Sequence, residues 1–345
     1  MLSAQLLGPG RLEMRQVEVP QPGAGEVLVK VEAALTCGTD LKTYRRGHPK
    51  FPFPFALGHE YSGILAAVGP GVSRFEVGSA VMGVHSAPCN GCRLCLRGLP
   101  NLCDSLVARM ALGAFSEYYR VPAEIVEQNL FLRPAHVSAQ RAAFLEPLAC
   151  VIQGQSQIPV RPDHSVVIMG CGTIGLLHLL LARQRGARPI IVTGRHRQRL
   201  DLALELGADV VVNIDEEEPL EAVRRATSGE GAELVVECVG RPEAWREAHL
   251  HAAAGGFVLL FGGCPSGAQA SFDATRIHYD QLTLRGVFHF TPEDVRQARD
   301  YLCQTEMPVE RILSGQAPLA ELPQILQQLD QGNGIKYALL PQEKA

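Results

Sequence analysis

The chain has 345 residues, 46% of them hydrophobic and 20% charged, with a formal net charge of -4 and no long basic run. That length divides more comfortably into two cores than one, and the acidic balance excludes nucleic acid as the natural partner, leaving a small molecule as the expected ligand. The opening MLSAQLLGPGRLEMRQ lacks a basic run followed by an apolar one, and no stretch approaches about eighteen uninterrupted apolar residues, so neither secretion nor a membrane partner is expected and the setting is cytoplasmic.

From residue 1 to about 150 the sequence is rich in Gly and Pro, with short apolar runs such as EVLVKVEAAL and EYSGILAAVG that predict a twisted, β-rich domain. Ten cysteines in a reducing compartment point to metals or catalysis rather than disulfides. The run PCNGCRLCLRGLPNLC holds Cys89, Cys92, Cys95 and Cys103, and four thiolates in one loop can complete a tetrahedral zinc shell without help from the rest of the fold. Such a closed shell ties a loop together and leaves no position for a substrate. From about 163, strand-like runs alternate with helical patterns: SVVIMG, TIGLLHLLLARQRGA, PIIVTG, HRQRLDLALELGA, DVVVN, ELVVECVG, GGFVLLFG and LTLRGVF. That alternation predicts a parallel sheet covered by helices on both faces. The remaining cysteines, Cys150, Cys171, Cys238, Cys264 and Cys303, read as small core residues.

The strand VVIM runs directly into GCGTIG, and a helical pattern follows. Gly170, Gly172 and Gly175 have the spacing of a dinucleotide-binding turn, where glycine lets the backbone approach a pyrophosphate. The helix that begins at Thr173 and Ile174 offers that pyrophosphate its N-terminus. About twenty residues on, where an acidic side chain usually accepts the ribose 2′-hydroxyl of NAD, stands Gly194. Arg195, His196, Arg197 and Arg199 follow, and a guanidinium there suits a 2′-phosphate, so NADP is favoured over NAD. Arg197 and Arg199 also suit a solvated helix face, which leaves Arg195 as the main candidate.

A catalytic zinc needs an open position and a mixed ligand set, and two further stretches stand out, TCGTD (36–40) and LGHEYSG (57–63). With these, the four-cysteine loop and the dinucleotide turn in this order and at these intervals, nearly the whole chain resembles the zinc-dependent medium-chain dehydrogenase/reductase family of alcohol, polyol and threonine dehydrogenases. The resemblance implies an α/β fold: a Rossmann doubly wound parallel sheet over 153–288, and a β-rich GroES-like catalytic domain over 1–152 completed by a return segment, 289–345. It implies that Cys37 and His59 hold the catalytic zinc, that Glu60 binds or relays to it, and that Glu146, in FLEPLAC, is a further metal-site glutamate. Thr39 would be the first acceptor of the substrate's proton. Where many relatives place a histidine three residues after this threonine, the chain has Lys42, which leaves His48 as an alternative outer end of the relay. Asp40 would orient the His59 ring. Roughly two zinc ions per chain and a homodimer or homotetramer are implied as well.

The reading that follows is a dehydrogenase acting on a secondary alcohol or polyol, whether sugar alcohol, cyclitol or amino alcohol, with NAD(P). The polar Lys42, Tyr44, Arg45, Arg46 and His48 lean towards a polyhydroxylated or phosphorylated substrate. The alternative is a zinc-stabilised nucleotide-binding protein without dehydrogenase activity, against which Cys37, His59 and Glu60 speak, because a scaffold needs no open metal site.

Overall fold

The computed structural model describes residues 1–48, 51–304 and 306–342. The chain divides into two compact units, residues 1–149 with 290–345, and residues 150–289. Among the described residues no helix is long and apolar enough to cross a membrane.

The second unit is an α/β layer structure. Its six strands are all parallel and lie in the order Val210–Asn213, Ile190–Gly194, Val166–Met169, Ala232–Glu237, Ala252–Leu260, Thr283–Gly286. This is the 3-2-1-4-5-6 order of a Rossmann sheet, whose ligands bind beyond the carboxyl ends of the strands. The central strands are apolar on both faces: every residue of Val166–Met169 and of Ile190–Gly194 is buried, as a parallel sheet covered by helices requires. Helix Thr173–Gln184 is buried from Gly175 through Ala182, which its nearly unbroken leucine content predicts. Val167, Ile191, Val212, Val235 and Val258 form the core of this unit.

The first unit is β-rich. Among the described residues it carries a seven-stranded sheet built around Val27–Leu35, which pairs with Glu60–Val68 on one side and with Tyr337–Leu340 and Tyr118–Val121 on the other, and a three-stranded sheet around Leu2–Gly8. Burial alternates along these strands less strictly than in a one-sided sheet. Val27, Val29 and Val31 meet Leu57, Tyr61, Leu65, Phe115 and Tyr119 in the core, where Tyr61 and Tyr119 pack edge to face at 4.6 Å.

One expectation fails here. Of the five cysteines read as core residues only Cys171 is buried, whereas Cys150, Cys238, Cys264 and Cys303 are partly exposed. Cys303 lies on the amphipathic helix Pro292–Gln304, and Cys238 and Cys264 follow the strands Ala232–Glu237 and Ala252–Leu260, whereas Cys150 is the partly exposed position of the otherwise buried stretch 145–155.

Candidate functional site

The antiparallel register of the first unit pairs Leu35 with Glu60, so the residues just beyond Leu35 run alongside the residues just before Glu60. Cys37 and His59 are thereby brought together although 22 positions separate them in the chain. Cys37 is also the N-cap of helix Gly38–Arg46: its sulfur accepts the Thr39 amide at 3.4 Å, and Asp40 Oδ2 accepts the Cys37 amide at 3.0 Å, closing a capping box. The other oxygen, Asp40 Oδ1, lies 3.2 Å from His59 Nδ1, and both side chains are buried. One carboxylate thus fixes the helix start and the imidazole together, leaving Nε2 as the nitrogen for a metal. Burial alone would lower the His59 pKa, but Asp40 and Cys37 outweigh it and hold the ring well above its usual value.

The ligand atoms of Cys37, His59 and Glu60 lie within 4.8 Å of one another. Glu60 is fully buried, and burial pushes its carboxyl up to about 7, the Lys336 ammonium working against the rise and Glu146 adding to it. Lys336, itself 1% exposed, approaches Glu60 Oε2 to 2.5 Å and donates to the Thr36 carbonyl at 2.8 Å. The Lys336 ammonium compensates Oε2, while Glu60 Oε1 is buried with no hydrogen-bond donor among the described residues. A buried carboxylate with one oxygen left open, beside a thiol and an imidazole, fits a borderline divalent metal such as zinc.

Glu146 stands outside this close trio, with Oε1 3.7 Å from His85 Nδ1, and the His85 ring lies 5.1 Å from the His59 ring. Sequence reasoning missed both His85 and Lys336. His85 follows strand Ala80–Gly83, whose pairing of Gly83 with Tyr61 carries it to the site, and Lys336 leads into Tyr337–Leu340. Neither lies in a motif, and only strand register reveals them. Thr39 is exposed, as is Lys42, and Arg45 is engaged by Asp330 on the surface, which withdraws one of the polar residues counted towards a polyhydroxylated substrate.

Cys89, Cys92, Cys95 and Cys103 also bring their sulfurs within 4.8 Å of one another, all as free thiols. Short helix Arg93–Leu96 starts at Cys92, and backbone amides point into the cluster, Cys92 N–H to Cys89 Sγ at 3.2 Å and Cys89 N–H to Cys103 Sγ at 3.3 Å. The Gly91 amide and the Cys103 thiol draw the Cys89 pKa down to about 6, whereas burial and the neighbouring sulfurs push Cys95 up to about 12. Thiols this close resist ionising together, and a divalent cation removes that conflict, so the donor set fits a closed zinc shell.

In the second unit, strand Val166–Met169 ends at Gly170, whose φ of 103° excludes an L side chain. A Cβ at Gly175 would stand 1.9 Å from the Gly170 carbonyl oxygen, so this turn closes only on glycine. Gly172 caps helix Thr173–Gln184 without a side-chain hydrogen bond, which leaves the first-turn amides of Thr173, Ile174 and Gly175 for an anion. Gly194 ends its strand; beyond it Arg195 lies 3.6 Å from Asp215, with both exposed, and Arg197 pairs with Asp201 on the solvated helix face. Arg199 is less exposed, and burial lowers its pKa against the opposing influence of the Cys171 sulfur. At the carboxyl ends of the Ala252–Leu260 and Thr283–Gly286 strands lies a pocket of about 340 Å³ lined by residues including Trp245, Gly262, Cys264 and Phe272.

Residues 23–129 match the family model of the alcohol dehydrogenase GroES-like domain, and residues 173–303 match that of the zinc-binding dehydrogenases. An L-threonine 3-dehydrogenase of Bacillus subtilis is 31% identical over 338 residues, covering 95% of this chain and 94% of its own. A sorbitol dehydrogenase of the same species is 32% identical over 296 residues, covering 84% and 82%. Among solved structures, a Sinorhizobium meliloti 1021 protein described as a zinc-binding dehydrogenase and bound to NADP matches with a TM-score of 0.91 at 31% identity over 99% of both chains. The alcohol dehydrogenase of Thermus sp. ATN1 matches with a TM-score of 0.89 at 30% identity, again over 99% of both.

Proposed function

Because the chain belongs to the zinc-dependent medium-chain dehydrogenase family, a group of alcohol-type oxidoreductases, we propose that it transfers hydride between a secondary alcohol or polyol and NADP, using Cys37, His59 and Glu60 as the catalytic metal ligands. The observation that carries this reading is the convergence of those three ligand atoms within 4.8 Å of one another, with Glu60 fully buried. A bound zinc ion supplies Lewis acidity towards the oxygen of the reacting carbon, and NADP supplies the hydride acceptor.

The chain's own residues do the rest. Asp40 holds the His59 ring by Nδ1, and Lys336 balances the charge of Glu60 inside the unit. Thr39, at an exposed position next to the trio, accepts the substrate's proton on its hydroxyl and passes it to solvent. Glu146, beside His85, adds negative charge at the edge of the site. The amides of Gly172, Thr173, Ile174 and Gly175 receive the pyrophosphate, Gly170 shapes the turn, and Arg195 with Arg199 beyond Gly194 takes the 2′-phosphate. The NADP in the Sinorhizobium relative supports that preference. Cys89, Cys92, Cys95 and Cys103 hold a second, structural zinc, giving two per chain.

The relatives named for L-threonine and sorbitol support a substrate whose reacting alcohol is secondary and flanked by a polar group, such as an amino alcohol, a sugar alcohol or a cyclitol. The unbridged cysteines support work in a reducing cytoplasm, and a homodimer or homotetramer is the proposed assembly. A zinc-stabilised nucleotide-binding protein without activity would have no need of the Cys37 trio.

The test is a panel of threonine, polyols, cyclitols and simple alcohols with NAD and NADP in parallel, alongside zinc analysis. Wild type should bind roughly two zinc ions, and Cys37→Ser or His59→Ala should lose one of them together with at least about 100-fold of the turnover. Undiminished turnover in either variant, or one zinc ion in active wild type, would sink the reading.

A further inference from the structure

Gly194 is not a glycine for the sake of its backbone. It ends a regular strand, pairs with Asn213 in parallel register, and does not occupy the left-handed region. Its missing side chain is a matter of space: a Cβ there would lie 2.2 Å from Cys171 Sγ, 3.2 Å from Cys171 Cβ and 3.4 Å from Leu200 Cδ2. Cys171, the second residue of the glycine-rich turn, is 4% exposed. Burial raises the pKa of this thiol, and the Arg199 guanidinium with the backbone amides of Cys171, His196 and Arg195 works against the rise. Rotating the thiol would still leave Cys171 Cβ at 3.2 Å and Leu200 Cδ2 at 3.4 Å from a side chain at position 194.

We propose that Cys171 and Gly194 form one steric unit that bars a carboxylate from the end of the second strand and thereby selects NADP over NAD. In dinucleotide sheets an acidic side chain at this place accepts the ribose 2′-hydroxyl, and that same charge repels a 2′-phosphate. With the thiol filling the volume such a side chain needs, the ribose end of the cofactor meets only backbone, Arg195 and Arg199. Asp215, the acid beside Arg195, is held in an exposed pair with it. Cys171 thus acts as a positioning residue and touches no reacting atom. The proposal rests on the NADP reading above, and two sets of measurements separate the failure of one from the failure of the other.

The first set measures thermal midpoints without cofactor for wild type, Cys171→Ala, Gly194→Ala and the double variant. Gly194→Ala should lower the midpoint by about 5 °C, and the double variant should recover most of that loss, as overpacking relieved by a cavity predicts. Additive effects of the two substitutions would overturn the steric unit, whichever cofactor the protein prefers. The second set measures Kd for NADP and NAD by calorimetry in wild type, Gly194→Asp and Cys171→Ala/Gly194→Asp. Wild type should favour NADP, Gly194→Asp alone should weaken both cofactors or fail to fold, and the double variant should fold, lose roughly tenfold to hundredfold in NADP affinity and favour NAD. A single Gly194→Asp variant that folds and switches as fully as the double overturns the proposal, as does a double variant that does not fold. A wild type that favours NAD, with the first set non-additive, overturns the NADP reading and with it the role in selection, while the packing of the pair stands.

Discussion

Lys336 and Glu60 form a buried charge pair whose value depends on what else is bound. Removing one partner of such a pair typically costs about 3–5 kcal/mol because the other charge is left uncompensated. Lys336→Met should therefore destabilise the chelated protein by about that much and the zinc-loaded protein by clearly less, since a cation ligated by Glu60 takes over the compensation. Equal losses in the two states, measured by denaturant unfolding, would show that Glu60 does not ligate. His178 offers a separate test on the acid side. It is fully buried in the second unit, takes a hydrogen bond from Gln155 at 3.2 Å, and burial pulls its pKa down to about 3 from an ordinary 6.5. The unfolded chain thus binds the proton first as pH falls. The stabilisation from keeping this ring neutral is complete above about pH 6.5 and is lost as pH drops from there towards 3, at up to about 1.4 kcal/mol per pH unit. His178→Leu should flatten the fall in stability between pH 6.5 and 5, a difference in slope that does not depend on the offset from lost packing. His251, drawn down to about 4 mainly by burial, contributes a remaining slope of the same sign.

At the level of elements, the pairing of Val27–Leu35 with Glu60–Val68 places the proposed catalytic ligands. Gly63 sits inside that pair, where a Cβ would meet the Lys30 carbonyl oxygen at 2.1 Å. Gly63→Ala should force the strands apart, cost about 1–3 kcal/mol by overpacking, and lower zinc content towards one ion per chain although residue 63 belongs to no metal motif. Full zinc content in this variant would detach the register from the site. How far the sequence disclosed these elements follows from the range of the forces that make them. The helix beginning at Thr173 was legible because its glycine turn and its leucines lie within one continuous stretch. The proximity of Cys37 to His59 was legible only by resemblance, because the register that creates it depends on pairing between strands distant in the chain. Glu146 came by the same route, and its carboxylate stands beside His85 and acts on the Glu60 carboxyl.

For the whole molecule, the division into two units predicts that metal loss is felt locally. Cys103→Ser should release the proposed structural zinc and strip hydrogen-exchange protection from the loop between Cys89 and Leu106, while the amides of Val166–Met169 and Ala232–Glu237 in the second unit keep theirs. Equal loss of protection in both units would show that they unfold as one. By itself the sequence determined the alternation that makes the parallel sheet, the glycine turn that opens its first helix and the four-cysteine loop. Each of these is decided by residues a few positions apart, whose geometry the chain settles locally. The tertiary structure alone decided that Lys336 meets Glu60, that His85 neighbours both the His59 ring and Glu146, and that the thiol of Cys171 fills the space beside Gly194. Those contacts arise when separate strands pair and pack, and burial then turns a separation of a few ångströms into a charge, a proton or an excluded side chain, none of which leaves a trace in spacing or composition.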